Sequence, residues 1–508
     1  MTKLIRALLA ADGQQLELEE VVATLSARFT VKTGAKQLVR RTRLDTFDRL
    51  LGAAGLMLEH QTLASGQQLV LGQPDASSTL AVPVSNMRWP ALADRLPNGP
   101  LREAIAAVSG IRALMVISQE NRRMRVLELN NEDGKTVARL EFDEPASAAI
   151  AADVAPTQLT IRSLRGYDQE ARRATQLLIG LGMHPAEADE ERKPGSLQPP
   201  IGMDRAAPGS ELMRRALSAY LVTMRENLPG LLDNVDTEFL HDFRVAVRRT
   251  RAALKLGRPC LPREMRTRWE PTFKGLGDLT TPVRDLDVYE LDLPTMAGWL
   301  VAAKPTDLEP FAAHLRGRRV AKRRVLVRGL RSDKFTRLMA EWDEELTQMV
   351  NMTQDVDAEH FSAGQMADRG ISRAYRRVAS GGGAISNDSP AEDLHTLRKS
   401  CKDLRYALEV CAPVIARSPR KRAVADLKGL QDVLGRFQDS EVQRQGLHGF
   451  AEEMMADGTP AAAVLAMGEL IGHLEAEQDR ARREFDGVFA HFARPSNHRL
   501  MHSLGGQS

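Results

Sequence analysis

The sequence predicts an α+β N-terminal domain with a largely antiparallel sheet, followed by an all-α C-terminal domain of two similar halves. Three observations carry this. Up to about residue 184, short alternating apolar runs are separated by turn residues. From about residue 210 the apolar spacing is helical. Within that helical part, residues 239–256 align without gaps on residues 393–410, an offset of 154.

In the first region, Gln67–Leu71, Leu114–Ile117, Met124–Leu129, Val137–Phe142 and Gln158–Ile161 read as strands. Asn130 to Gly134 supplies a hairpin connection. Helical patterns fall at Leu16–Phe29, Thr46–Leu58, Pro100–Val108 and Asp168–Leu181. This domain is expected to span 1–184. A linker at 185–209 follows, charged over Glu187 to Lys193 and broken by Pro194, Gly195, Pro199, Pro200, Pro208 and Gly209. The helical domain is expected over 210–495. A glycine-rich break from Ser380 to Pro390 divides it into about 210–380 and 381–495, and the tail beyond Pro495 should fray.

Bulk properties narrow the function classes. The formal charge of the 508-residue chain is +3, so an anion site here requires local clustering rather than a large total. Cys260, Cys401 and Cys411 form no paired motif, which argues against a disulfide framework or structural zinc. No apolar stretch approaches the ~20 residues of a membrane span, so the expected address is the cytoplasm.

The repeat carries the chemistry. The offset of 154 pairs His241 with His395, Arg244 with Arg398, Arg248 with Lys402, and Arg251 with Arg405. It also carries Lys274-Gly275-Leu276 onto Lys428-Gly429-Leu430, and Asp278 and Asp285 onto Asp432 and Asp439. At about 100° per residue, His241, Arg244, Arg248, Arg251 and Lys255 share an arc of roughly 80° beside an apolar face. Between His241 and Arg258 stand six Lys or Arg residues and one acid, Asp242. Stacked like charges destabilise a helix unless an anion neutralises them. Residues 315–331, including Arg319, Lys322 and Arg323, add eight basic residues and no acid, and Arg373, Arg376 and Arg377 precede the second copy. Arginine forks suit phosphate oxygens bidentately. The four aspartates are expected to hold those forks in place rather than to bind metal.

The doubled H-x-x-R-x-x-x-[RK]-x-x-R pattern, each copy followed by a Lys-Gly-Leu segment and an Asp, resembles the CHAD domain (conserved histidine α-helical domain) over about residues 204–495. The resemblance implies two pseudo-symmetric four-helix bundles enclosing a basic channel. It also implies inorganic polyphosphate as partner, location at polyphosphate granules, and no cofactor. The implied ligands are His241, Arg244, Arg248, Arg251, His395, Arg398, Lys402 and Arg405. Charge and placement add Lys255, Lys274, Arg319, Lys322, Arg323, Arg373, Arg377 and Lys428. Gln438 stands where the first copy has Arg284, so the halves should contribute unequally.

Leu44 to Leu50, Ala53 to Leu56, and Leu164-Arg165-Gly166-Tyr167 resemble a degenerate CYTH domain over about 1–184, which implies an antiparallel barrel or tunnel with helices. Enzymes of that family open on an E-x-E-x-K strand that holds a divalent metal. Here the first strand reads Thr2 to Ala7 without those acids, and Glu17-Leu18-Glu19 sits better at a helix start. Metal-assisted hydrolysis needs the ion's oxygen ligands, so the expectation is a non-catalytic protein without metal. Two alternatives stand beside it. One is a metal-dependent inorganic triphosphatase with a CHAD accessory domain, using Arg41, Arg43, Arg123, Arg125 and Arg139 for triphosphate and Glu128 and Glu141 as carboxylates. The other is a nucleic-acid-binding protein. Against the latter, the stripes lack interleaved aromatics and a base-reading motif; weak cross-binding to other polyanions is still expected.

Overall fold

The structure is a computed structural model that describes residues 5–9, 16–73, 79–146, 156–185, 202–352, 361–386 and 388–504. It divides into two compact units, Met1–Ser196 and Leu197–Ser508.

The first unit runs β1 (Ile5–Leu9), α1 (Leu18–Ser26), β2 (Thr30–Thr33), β3 (Gln37–Thr46), α2 (Leu50–Ala53), β4 (Met57–Leu63), β5 (Gly66–Gly72), β6 (Thr79–Val84), α3 (Pro100–Ser109), β7 (Leu114–Asn130), β8 (Thr136–Pro145), β9 (Gln158–Ser163), α4 (Asp168–Gly180) and β10 (His184–Pro185). All pairings are antiparallel, in the order β10-β1-β9-β8-β7-β3-β4-β5-β6, with β2 also on β7. The sheet curls so that β4–β6 and β7–β9 line one hollow of ≈220 Å³. Among the described residues its edges, β6 and β10, do not pair with each other. The expected α+β architecture is therefore present as an incompletely closed tunnel. One apolar core joins α1 and α4 to β7–β9 through Val21, Leu25, Leu140, Leu159 and Leu178.

Two local expectations change. Leu114–Ile117 and Met124–Leu129 belong to one 17-residue strand, β7. The helix expected at Thr46–Leu58 shrinks to one turn, α2. Arg49 and Gly55 adopt left-handed φ values of 59° and 70°, and the buried Asp45 carboxylate accepts the N–H groups of Thr46, Leu51 and Gly52 at 2.7–3.0 Å. This turn folds β4 back on β3, a tertiary pairing that overrides the local helical spacing. The Asn130–Gly134 hairpin and the helix start at Glu17 are as expected.

The second unit is all α: α5 (Gly209–Asp233), α6 (Thr237–Leu256), α7 (Arg263–Ala297), α8 (Glu309–Leu330), α9 (Asp333–Met352), α10 (Ala363–Gly383), α11 (Ala391–Val410), α12 (Arg417–Ala456), α13 (Ala461–Phe492) and α14 (Pro495–Leu504). Three helix starts repeat at an offset of 154: Gly209 and Ala363, Thr237 and Ala391, Arg263 and Arg417. The packing repeats too. In the first copy α5 packs on α6, α6 on α7, α7 on α8, and α9 returns to α5; α10–α14 follow the same scheme. Each repeat thus has the four expected helices plus a fifth that closes on the first.

Local chemistry explains the ends. Asp236 caps α6 by accepting the N–H groups of Glu238 and Phe239 at 2.9 and 3.3 Å. Ser362 and Gln365 form a reciprocal capping box at the start of α10. Gly230 lets α5 approach α6 closely, since a Cβ there would meet the Phe239 ring.

Because α10 is the counterpart of α5, the second repeat begins near residue 363, not at the glycines of 381–383, which continue α10. The linker is shorter than expected. Residues 186–201 lie outside the described residues, but Met203 and Arg205 already hydrogen-bond the carbonyls of Pro413 and Val414 at 2.9 and 3.1 Å. The tail expected to fray forms α14, with Met501 and Leu504 buried.

The repeats face each other across a pseudo-two-fold axis. Gly209 N–H donates to the Phe361 carbonyl at 2.8 Å, and Ala363 N–H to the Ala207 carbonyl at 2.7 Å. Subtracting 154 from 363 and 361 returns 209 and 207, so these two bonds are symmetry mates, the signature of an isologous contact. An apolar cluster of Leu286, Tyr289, Phe311, Leu447, Met467 and Leu470 draws on both repeats.

A paired basic stripe as the candidate polyanion site

The helices that carry the two stripes, α6 and α11, meet across the axis. Their contact is pinned by ion pairs Arg249–Glu409 at 2.9 Å and Lys255–Asp403 at 3.0 Å. Adding 154 to 249 and 255 gives 403 and 409, so these pairs are also mates: the first repeat supplies both cations, the second both anions.

The stripe cations converge around this contact. Lys402 is half-buried, and its ammonium is pushed down to about 8 by burial and then by Arg398 and Arg248, with Asp439 opposing. Arg248 comes from the other repeat and lies close enough to the Tyr406 hydroxyl to oppose the upward effect of burial on it. Arg398 pairs with Asp439 at 2.8 Å. Arg244 Nη1 donates to the Thr280 and Thr281 hydroxyls at 2.9 and 2.8 Å and the Gly277 carbonyl at 3.3 Å. Burial raises the Asp285 carboxyl, with Arg244 and Arg284 opposing. Asp439 therefore holds a fork as expected, whereas Asp285 forms no ion pair within 4.0 Å among the described residues. Asp278 and Asp432 are exposed and form no ion pair within 4.0 Å among the described residues, which corrects the expectation for them.

The two histidines occupy equivalent places in different company. His395 Nδ1 lies 2.6 Å from the Gln438 amide oxygen. His241 is held below its usual value by burial and by Arg284, the residue at the Gln438 position. Arg284 in turn reaches Glu238 at 3.3 Å.

The remaining expected contacts divide. Arg251 lies near Gly277, and Arg405 pairs with Glu409 on its own helix at 2.8 Å. Lys274 and Lys428 are exposed at equivalent points of α7 and α12, and Lys322 is exposed on α8. Arg319 and Arg323 are engaged in the bundle itself. Arg319 binds the fully buried Asp287 at 2.5 Å. Arg323 donates to the Leu231 and Leu232 carbonyls at 3.0 and 2.7 Å. Arg323 thus secures the C-terminal end of α5, where helix carbonyls lack partners, and Arg319 donates to the Asn234 side chain just beyond it at 3.1 Å. A run of basic residues without acids concealed this, because the partners come from other helices. Arg373 and Arg377, expected with the polyphosphate-binding set, stand instead on α10, outside the α6–α11 stripe, and line a hollow of ≈650 Å³ together with Lys255. Sequence reasoning did not single out Tyr406, Arg249 or Arg258; for Tyr406 the mismatch between the repeats (Tyr406 against Ala252) was the available signal.

A family model described as the CHAD domain matches residues 215–448. This region is a CHAD domain. The CHAD domain from the plant Ricinus communis is 25% identical over 58% of this chain and 95% of its own, with a TM-score of 0.48. PptA from Streptomyces chartreusis is 16% identical over 56% of this chain and 99% of its own, with a TM-score of 0.43. PH1819 from Pyrococcus horikoshii is 11% identical over 37% of this chain and 95% of its own, with a TM-score of 0.21. No curated protein matches the chain. The CHAD match takes in both basic helices, α6 and α11, and ends within α12, so α13 and α14 complete the second repeat beyond it. No helix among the described residues is long and apolar enough to cross a membrane.

Proposed function

We propose that this CHAD domain binds inorganic polyphosphate along the paired stripe and acts without catalysis. The observation that carries the reading is the meeting of α6 and α11, which brings Arg248 of one repeat and Arg398 of the other close to the half-buried Lys402 ammonium. Such crowding raises the energy of the free protein, and a polyanion laid across the axis relieves it. Arg244 and Arg251 extend the track on one side, and Arg398 and Arg405 on the other. Location at polyphosphate granules follows as part of the same proposal.

In the N-terminal unit, the carboxylates near the hollow are already paired with arginines. Arg41 and Arg122 each reach Asp143 at 2.8 Å, Arg139 meets Glu128 at 3.2 Å, and Arg162 meets Glu141 at 3.4 Å. This internal neutralisation supports a structural rather than a metal-binding role.

The test is titration of the full chain with long-chain polyphosphate at fixed salt. Arg248→Ala with Lys402→Ala should abolish tight binding, and undiminished affinity in that double variant would refute the stripe. Competition with DNA or RNA at the same salt separates polyphosphate preference from general attraction to phosphate backbones.

A further inference from the structure

The duplication provides an internal control for every charged cluster, since a feature required by the bundle should appear in both copies. The stripe does. The arginines of α10 do not. Arg373, Arg376 and Arg377 lie within about one helical turn and are exposed. The offset of 154 places Ala219, Val222 and Thr223 at their positions on α5.

Space follows the same asymmetry. The three arginines line the hollow of ≈650 Å³ between α6, α10 and α11, a volume typical of small-molecule sites. Ala374 lines it too, and its counterpart is Tyr220, buried beside Arg249 and Glu409. In the first repeat a tyrosine ring and a neutral ion pair stand at the place where the second repeat has a cationic cavity.

The charge there is only partly compensated, and Arg258 finds its carboxylate in Glu270 at 3.7 Å. Lys255, Arg258 and Arg369 join the three arginines around the hollow, against the acids Asp368 and Asp403. Asp368 is bound by Arg205 at 2.6 Å, while Asp403 is shared between Lys255 at 3.0 Å and Arg377 at 3.4 Å. Arg373 and Arg376 have no carboxylate within 4.0 Å among the described residues; Arg376 donates only to the Ser372 carbonyl of its own helix at 3.4 Å. Three like charges in one turn disfavour the helix by themselves, and the first repeat shows that the bundle forms without them.

We propose that this hollow is a second anion site, particular to the second repeat, for a compact small molecule carrying several phosphate groups. Planar guanidinium forks match phosphate oxygens in pairs, and several converging forks call for a ligand with clustered charges. Apolar walls from Leu256, Pro259 and Met366 limit its size and lower the local dielectric. The site is separate from the stripe, although Lys255 touches both.

Calorimetric titration of the full chain with inorganic tripolyphosphate and with long-chain polyphosphate tests this. Arg373→Ala with Arg376→Ala should weaken tripolyphosphate roughly tenfold or more, as for lost charge-assisted bonds, and leave long-chain affinity nearly unchanged. Arg244→Ala with Arg398→Ala should do the reverse. Ala374→Tyr, which rebuilds the first repeat's side chain in the cavity, should also block tripolyphosphate; the exposed arginine changes keep the test open if that variant fails to fold. Tripolyphosphate affinity unaffected by Arg373→Ala with Arg376→Ala overturns the proposal. Parallel loss of both ligands in both double variants also overturns it, because the hollow would then be one end of a single track. Failure of the stripe variant alone to weaken long-chain binding would count against the stripe and not against the hollow.

Discussion

Tyr289 donates its hydroxyl to the backbone carbonyl of Gln443 at 3.0 Å, and the two residues are 154 positions apart. They are therefore equivalent positions of the two repeats, and their bond lies on the pseudo-two-fold axis. Gly446 makes room for it, since a Cβ there would collide with the hydroxyl. Tyr289→Phe should cost about 1 kcal/mol, the usual net worth of one hydrogen bond. Gly446→Ala should cost more, because it forces the ring from the shared core. Denaturant unfolding measures both, and equal stability of all three proteins would show that the axis contact is not stabilising.

The ion pairs at the α6–α11 contact segregate charge by repeat: Arg249 and Lys255 on one side, Glu409 and Asp403 on the other. Two first repeats or two second repeats brought together the same way would oppose like charges. Glu409→Arg should destabilise the chain by about 1 kcal/mol or more, and Arg249→Glu in the same chain should restore most of it. A double-mutant cycle by thermal unfolding reads this coupling directly.

If the stripe binds polyphosphate as proposed, Lys402 should make that affinity depend on pH. With its folded value near 8, the side chain is charged below that pH and increasingly neutral above it. A bound polyanion favours the charged form and raises the value, so binding takes up a proton as pH rises past 8. Affinity should therefore fall through pH 8–9 more steeply than screening alone explains, and Lys402→Met should flatten the profile. The charged groups that face it are Arg398 on α11, Arg248 on α6 and Asp439 on α12.

For the N-terminal unit, tripolyphosphate with magnesium or manganese should release no phosphate above background. Turnover that disappears in Glu128→Gln or Glu141→Gln would instead establish the triphosphatase reading.

Much of this architecture can be read from the chain. Apolar spacing locates the long helices, since each buries one face. The gapless match of residues 239–256 to 393–410 carries equivalent helices into equivalent places, and three helix starts keep that offset. Local spacing could not foresee that Asp45 and a left-handed Arg49 would turn Thr46–Leu58 into a tight return between strands. The same limit governs the site. Sequence alone determined which arginines share a face of their own helix. Only the tertiary structure decided which are spent on the bundle, as Arg319 and Arg323 are, and which converge, as Arg248, Arg398 and Lys402 do. Helical periodicity describes one helix, whereas the partner of a charge is set by whatever packs opposite it, here from another helix or the other repeat.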